Sequence, residues 1–314
     1  MNKQFNNLLP DIVNAINYNY TQSDLLLGKS DKYLPVRTTI IEILDDLKRL
    51  MFPGYFSTDR VDVTNAAYYT GQILSSLHLK LRKQVALALA YDREPGIFSS
   101  NPDVIAEAED ICCKFFEAVP HIQEMLLLDV QAGYDGDPAA DSKEQIIFSY
   151  PGFYATFVYR VAHELYNMHV PFIPRVMTEH AHGKTGIDIN AGATIGKYFF
   201  MDHGTGIVVG ETTIIGDYVK LYQGVTLGAL STRGGQHLAG VKRHPTIEDR
   251  VTIYSNATVL GGETIIGADS VVGGGAFITN SIPANTRVSV TPPELAIKQD
   301  THAQISATDY VYEI

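Results

Sequence analysis

The chain has 314 residues, 45% hydrophobic and 19% charged, a globular composition that excludes a disordered or fibrous protein. A net charge of −11 and a pI near 5.3 exclude the basic surface that a phosphate backbone needs, so no nucleic-acid partner is expected. No run of about 18 apolar residues occurs, and the N-terminal MNKQFNNLLPDIV lacks the apolar core of a secretory signal. The expectation is therefore a cytoplasmic protein with no membrane segment.

Glycine divides the chain: 19 of the 26 glycines lie between Gly183 and Gly275. The first part, 1–184, reads as an all-helical domain. Ile40, Leu44, Leu47 and Met51 form one apolar stripe at helical spacing. Residues 70–90 also read as helix, ending at Arg93-Glu94-Pro95-Gly96. A second stripe, Ile105, Ala108, Cys112 and Phe116, opens after Asn101-Pro102-Asp103, a helix-start signal. The only cysteines, Cys112 and Cys113, read as buried or half-buried thiols, too few for a disulfide framework or a metal site. A further helix over 121–130 leads into an acidic segment, Asp129 to Lys143, read as a loop. Within it Asp137-Pro138 is a common turn dipeptide. A third stripe, Phe153, Phe157, Val161, Leu165 and Met168, follows Pro151-Gly152.

From 185 to 290 the period changes to six. Aliphatic residues recur at Ile189, Ile195 and Met201, then after a two-residue slip at Val209, Ile215, Leu221 and Leu227. They return at Ile247, Ile253 and Val259, and after a one-residue slip at Leu260, Ile266, Val272 and Ile278. A glycine often follows the aliphatic residue. This is the hexapeptide pattern of a parallel β-helix, a fold type whose members are left-handed. A β-sandwich would instead show alternation and hairpin turns. The overall class is thus an α+β chain of two domains. One interruption, 229–243, has no hexads and carries Arg233, His237, Lys242 and Arg243. It must leave the prism, either as a solvated excursion or as a cover bearing cations for an anionic ligand. After Ile282-Pro283 the hexads stop, and 291–314 is a tail without strong period, ending Tyr310-Val311-Tyr312-Glu313-Ile314.

Candidate chemistry sits at the irregularities. Met201-Asp202-His203-Gly204-Thr205-Gly206 spans the first slip, and Asp188 precedes His203 by roughly one coil. A carboxylate bonded to one imidazole nitrogen makes the other a base; the alternative is a structural histidine. Arg243 and His244 stand where the excursion rejoins the prism, as a carboxylate clamp or as a loop anchor.

Residues 137–280 resemble the serine O-acetyltransferase family, which starts cysteine synthesis. The resemblance is carried by Asp202-His203 through Thr205-Gly206-Ile207-Val208-Val209-Gly210-Glu211-Thr212. Arg243-His244-Pro245, Asp188-Ile189, Asp137-Pro138-Ala139, Tyr159-Arg160 and His163 match in order. It implies His203 as general base and Asp188 as its positioning partner. It implies Asp137 and Asp202 on the serine ammonium, and Arg243 and His244 on its carboxylate. Acetyl-CoA would lie near Gly228, Ser255 and Gly274 as co-substrate, with no metal. It further implies a homotrimer or a dimer of trimers, feedback by cysteine, and capture of the terminal Ile314 by O-acetylserine sulfhydrylase. The chain departs from the pattern at Asn190-Ala191, in the lengthened loop after Gly228, and at Val290-Thr291-Pro292-Pro293. Alternative readings are a hexapeptide acyltransferase acting on homoserine or an amino sugar, or a β-helix carbonic anhydrase using His203, His237 and His244. A non-catalytic β-helix scaffold leaves the Asp188, Asp202 and His203 set unexplained.

Overall fold

The computed structural model describes residues 3–28, 33–94 and 96–291. The expected role of Ile314 concerns the tail beyond these and lies outside the described residues. Eight helices precede the prism among the described residues: α1 (Lys3–Gln22), α2 (Arg37–Met51), α3 (Pro53–Phe56), α4 (Ala66–Asp92), α5 (Pro102–Gly136), α6 (Lys143–Ser149), α7 (Pro151–Asn167) and α8 (Ile173–Thr185). The stripe of α2 is buried as its spacing predicts, with Ile40, Ile43, Leu44 and Leu47 almost inaccessible to water. Asn101 caps α5 by accepting the Asp103 N–H at 2.9 Å, as the Asn-Pro-Asp signal predicts.

The segment from Asp129 is not a loop until Asp137, because α5 continues unbroken to Gly136, with Pro120 inside it. Helix is possible there because the Asp129 carboxylate is buried against a cation rather than solvated. Arg160 of α7 donates Nε to Oδ2 at 2.6 Å and Nη2 to Oδ1 at 2.8 Å. Cys113 is exposed, not buried; Cys112 is buried, and burial pushes its thiol up to about 12.

Among the described residues the prism is built from fourteen short parallel strands on three faces, A, B and C. Face A stacks β1 (Asp188–Ile189), β4 (Val208–Val209), β7 (Thr226–Gly228), β10 (Thr258–Leu260) and β13 (Phe277–Ile278). Face B stacks β2 (Thr194–Ile195), β5 (Ile214–Ile215), β8 (Thr246–Ile247) and β11 (Ile265–Ile266). Face C stacks β3 (Phe200–Asp202), β6 (Lys220–Tyr222), β9 (Thr252–Ile253), β12 (Val271–Val272) and β14 (Arg287–Val288). The hexad aliphatics point inward, and a second inward position two residues earlier holds Ala193, Phe199, Val219, Val225, Val251 or Ala257. Leu260 is the exception to the predicted register. Val259 is the inward residue, paired with Leu227 and Ile278, while Leu260 sits half-buried opposite Gly228. The slip falls after Val259, because strand β10 is one residue longer than most and its last side chain must face out.

The helical domain is locked to the first coil by buried polar bonds. Arg160 also donates to the Gly196 carbonyl at 2.8 Å, and the Phe199 N–H reaches Asp129 Oδ1 at 3.0 Å. Tyr159 donates its hydroxyl to the Ala193 carbonyl at 2.6 Å, and His163 Nδ1 lies 2.7 Å from the Ala191 carbonyl. Gly152 permits the close approach of α7 to β3: a Cβ there would lie 2.6 Å from the Met201 carbonyl oxygen. Desolvation of Asp129 raises its pKa, and Arg160 opposes the shift. Asp129→Leu would leave a buried guanidinium unpaired, and the expected loss is about 3–5 kcal/mol. The Asp129→Leu/Arg160→Met double variant should lie much nearer the parent. Urea denaturation of the three proteins checks this, and equal losses in both variants would contradict it.

Candidate active site

The two-residue slip has a physical location. Strand β4 begins 20 residues after its partner β1, whereas β7 begins 18 residues after β4. At this corner the coils share a left-handed residue in register: Gly206, Gly224, Asn256 and Gly275, with φ between 59° and 82°. The extra residues stand just before Gly206. His203 itself has φ 59° and Gly204 φ 84°, so the chain bulges outward and carries the imidazole into solvent, 74% exposed. A non-glycine residue in this region is costly and marks a site worth inspecting.

Two carboxylates and a lysine gather around the bulge. Asp202, on the edge of face C, lies 3.8 Å from His203 Nε2 and 3.5 Å from Lys220 Nζ. Asp137 terminates α5 and accepts the Tyr150 hydroxyl at 2.6 Å and the Ala139 N–H at 2.8 Å. The Tyr150 bond, then the Ala139 N–H, hold its carboxyl below the ordinary range, helped by the Lys220 and His203 charges. Tyr150 is pushed up to about 12, first by desolvation and then by this bond, so it stays a neutral donor. Lys220 is anchored by a bond to the Gly136 carbonyl and lies 4.7 Å over the Tyr222 ring. The sequence reading brought Asp137, Asp202 and His203 forward but missed Tyr150 and Lys220. The outward position of Lys220 on a hexad strand was the only available signal. Two acids against one lysine leave an excess negative charge, suited to an ammonium.

Asp188 begins β1 and its N–H bonds to the Ile207 carbonyl at 2.9 Å, which places it beside the strand leaving the bulge. No hydrogen bond links Asp188 with His203 among the described residues. Its carboxylate instead groups with Glu179 and His182 of α8, ligand atoms lying within 4.8 Å of one another. This is the one such grouping among the described residues, and Arg175 pairs with Glu179 beside it.

The second half of the predicted site lies at the other end of β4. His244 packs on the turn between faces A and B, so closely that a Cβ on Gly210 would fall 2.0 Å from its ring. Its Nδ1 lies 3.1 Å from the Thr212 N–H and 2.9 Å from the Thr212 hydroxyl. That hydroxyl oxygen accepts the Arg243 and His244 N–H groups, so its proton turns to the ring. Nδ1 is therefore an acceptor and the proton sits on Nε2. Burial, then Arg243, push the pKa down to about 4. His244 is thus a fixed neutral donor rather than a cation. Arg243 donates to Glu211 and to the Leu238 carbonyl at 3.2 Å, and Glu211 accepts Tyr166 at 3.0 Å. Glu211 lies in the stretch carrying the resemblance, yet it was not among the predicted site residues. Lys242 is spent on backbone, donating to the Thr212 carbonyl at 2.8 Å. The excursion leaves after Gly228, makes one 3₁₀ turn at Gly235–Leu238, and is exposed through most of its length.

Among the residues expected near acetyl-CoA, Gly274 and Ser255 stack at the His203 corner in successive coils, 3.1 Å from a would-be Cβ to the Ser255 carbonyl. Gly228 lies across face A, opposite Leu260. His203, His237 and His244 are not brought to one corner: one is on the bulge, one in the excursion, one on the Thr212 turn.

Because His244 resists protonation when folded, the unfolded chain takes up the proton first, near the ordinary 6.5. The stability from this group should be complete above that pH and fall as pH drops from about 6.5 to about 4. Denaturation midpoints of parent and His244→Gln across this range should diverge in pH slope; parallel slopes would contradict the assignment.

No family model matches the chain. A serine acetyltransferase of Synechococcus elongatus, plasmid-borne by its name, is 41% identical over 267 residues, 83% of each chain. The structure of serine acetyltransferase isoform 3 from Entamoeba histolytica, in complex with cysteine, is similar over 94% of this chain and 96% of that one, at TM-score 0.70 and 30% identity. Soybean serine acetyltransferase complexed with serine is similar over 81% of this chain and 98% of that one, at TM-score 0.52 and 29% identity. The chain that displays this imidazole beside two acids, on a hexapeptide prism joined to a helical domain, is similar along most of its length to proteins of one name: it belongs to the serine acetyltransferase family.

Proposed function

We propose that the chain transfers the acetyl group of acetyl-CoA to the hydroxyl of L-serine, with His203 as general base. The observation that carries this reading is the convergence of Asp137, Asp202 and Lys220 on the bulge that displays His203. The spare negative charge takes the serine ammonium, and the hydroxyl then faces the imidazole. His203 removes the hydroxyl proton as the oxygen attacks the thioester carbonyl. When the tetrahedral adduct collapses, the C–S bond breaks and the imidazolium returns the proton to the sulfur. Such base help supplies roughly 10²–10⁴-fold, and holding both substrates together supplies much of the rest. Asp188 serves as the positioning carboxylate once the exposed imidazole turns toward β1. Acetyl-CoA runs along the prism past Ser255 and Gly274.

An α-amino acid is favoured over an amino sugar because the chain offers both an ammonium site and, at the far end of β4, an Arg243 fork with a neutral His244 donor. One face of the prism separates the two halves within a chain. The reading therefore requires neighbouring chains to complete each site, as in a trimer. Cysteine keeps the ammonium and carboxylate of serine, so it competes for the same clamp.

His203→Ala should lower kcat by roughly 10²–10⁴-fold with little change in KM for serine, in a thiol-release assay. Near-normal turnover by the folded variant would overturn the assignment. Arg243→Ala should raise KM for serine above all. Co-refolding His203→Ala with Arg243→Ala should restore activity, to about a quarter of the parent for randomly mixed trimers in which each site draws on two chains. No recovery in the mixture would place both residues in one chain's own site.

A further inference from the structure

Behind Tyr150 lies a cavity of about 280 Å³ that the acetyl-transfer site does not use. It opens between α2–α3 and the α6–α7 junction, with Phe52, Phe56, Phe148 and Tyr154 as walls and Lys48 and Lys184 at its edge. The Phe56 and Phe148 rings stack 6.1 Å apart at 13°. Lys48 Nζ stands 4.6 Å over Phe56 and 5.7 Å from the Tyr154 ring centroid, and Lys184 Nζ 4.9 Å from the same Tyr154 centroid. Three features of this pocket are unmet by the protein itself. The Tyr154 hydroxyl is enclosed, with no hydrogen-bond partner among the described residues, and burial pushes its pKa up to about 12. Lys184 has no carboxylate partner among the described residues, and Lys48 has only Asp45, half-exposed, at 3.5 Å. Phe148 is 68% exposed at the rim. A buried donor left unpaired is costly, and two ammonium groups held over aromatic faces repel one another.

We propose that this cavity binds a small organic monocarboxylate with an aromatic or branched apolar body. Its apolar part lies between Phe56, Phe148 and Phe52. Its carboxylate offsets Lys48 and Lys184, which stand over the Phe56 and Tyr154 rings, a charge-assisted arrangement that a neutral molecule cannot reproduce. Inorganic phosphate matches the charges but leaves the aromatic walls in water. Occupancy reaches the active site through one wall: Ser149, Tyr150 and Pro151 line the cavity, and the Tyr150 hydroxyl holds Asp137. A ligand pressing on Tyr150 changes the affinity of the Asp137 carboxylate for its ammonium, and by reciprocity serine changes the affinity for the ligand. This coupling rests on the reading of Asp137 as the serine site; binding in the cavity does not.

The test titrates phenylacetate into the full-length protein by calorimetry and ligand-observed NMR, with benzyl alcohol and inorganic phosphate as the apolar-only and charge-only probes. Phenylacetate should bind saturably and both controls far more weakly. Lys184→Gln should weaken phenylacetate about tenfold. Lys48→Gln should weaken it several-fold, whereas Tyr154→Phe, which removes only an enclosed, unpartnered oxygen, should leave the affinity in place. No saturable binding of phenylacetate, or equal binding of benzyl alcohol, or affinity unchanged in both lysine variants, would overturn the site. In the assay, saturating phenylacetate should shift KM for serine and leave KM for acetyl-CoA in place. Binding with an unmoved serine KM would overturn the coupling through Tyr150 while the cavity assignment stands.

Discussion

The buried pair of Asp129 and Arg160 is the constraint on which the site depends. It joins α5, α7 and the first coil, since Arg160 reaches the Gly196 carbonyl and Asp129 takes the Phe199 N–H. A charge pair this deep is tolerated only when its remaining donors and acceptors are also satisfied, and here both partners spend them on the prism. The consequence is positional. With α5 fixed at Asp129, its last turn ends against β3, and Asp137 is set beside Asp202 and the His203 bulge. Helical domain and β-helix thus form the acidic corner around His203 together; neither contains it alone.

The prism supplies rigidity and the irregularities supply chemistry. A perfect coil would direct every outward residue along a flat face. Two extra residues at one corner force a left-handed turn, and His203 leaves that face as a result. At the opposite end of β4 the long excursion re-enters, and its re-entry is stapled by Thr212, whose backbone and hydroxyl hold His244 in one tautomer. One histidine is thus open to solvent on the bulge. The other is buried and neutral, fit only to donate. Residue type alone does not separate these roles; burial and bonding do.

Much of this was legible in the chain itself. A period of six is imposed by three-sided coil geometry, so the inward residues from Ile189 to Ile278 could be read off directly, as could the slip that marks the bulge. The capping signal at Asn101 and the stripe of α2 are equally local. Leu260 was misread because a one-residue slip can be assigned to either neighbour, and only strand pairing decides which side chain faces in. The segment from Asp129 was misread as loop because acids and glycines favour one. Its helix is stabilised from 31 residues away by Arg160.

The amino-acid order alone therefore determined what short-range geometry controls: the helical first part, the three-sided prism, the excursion and the identity of the acids and histidines at its irregularities. Tertiary structure decided what depends on partners distant in sequence. It paired Asp129 with Arg160, brought Tyr150 to Asp137 and Lys220 to Asp202, bound Glu211 to Arg243, and held the proton of His244 on Nε2. The physical reason is that a side chain's charge and proton are set by the groups folded against it, and those groups are not its neighbours along the chain.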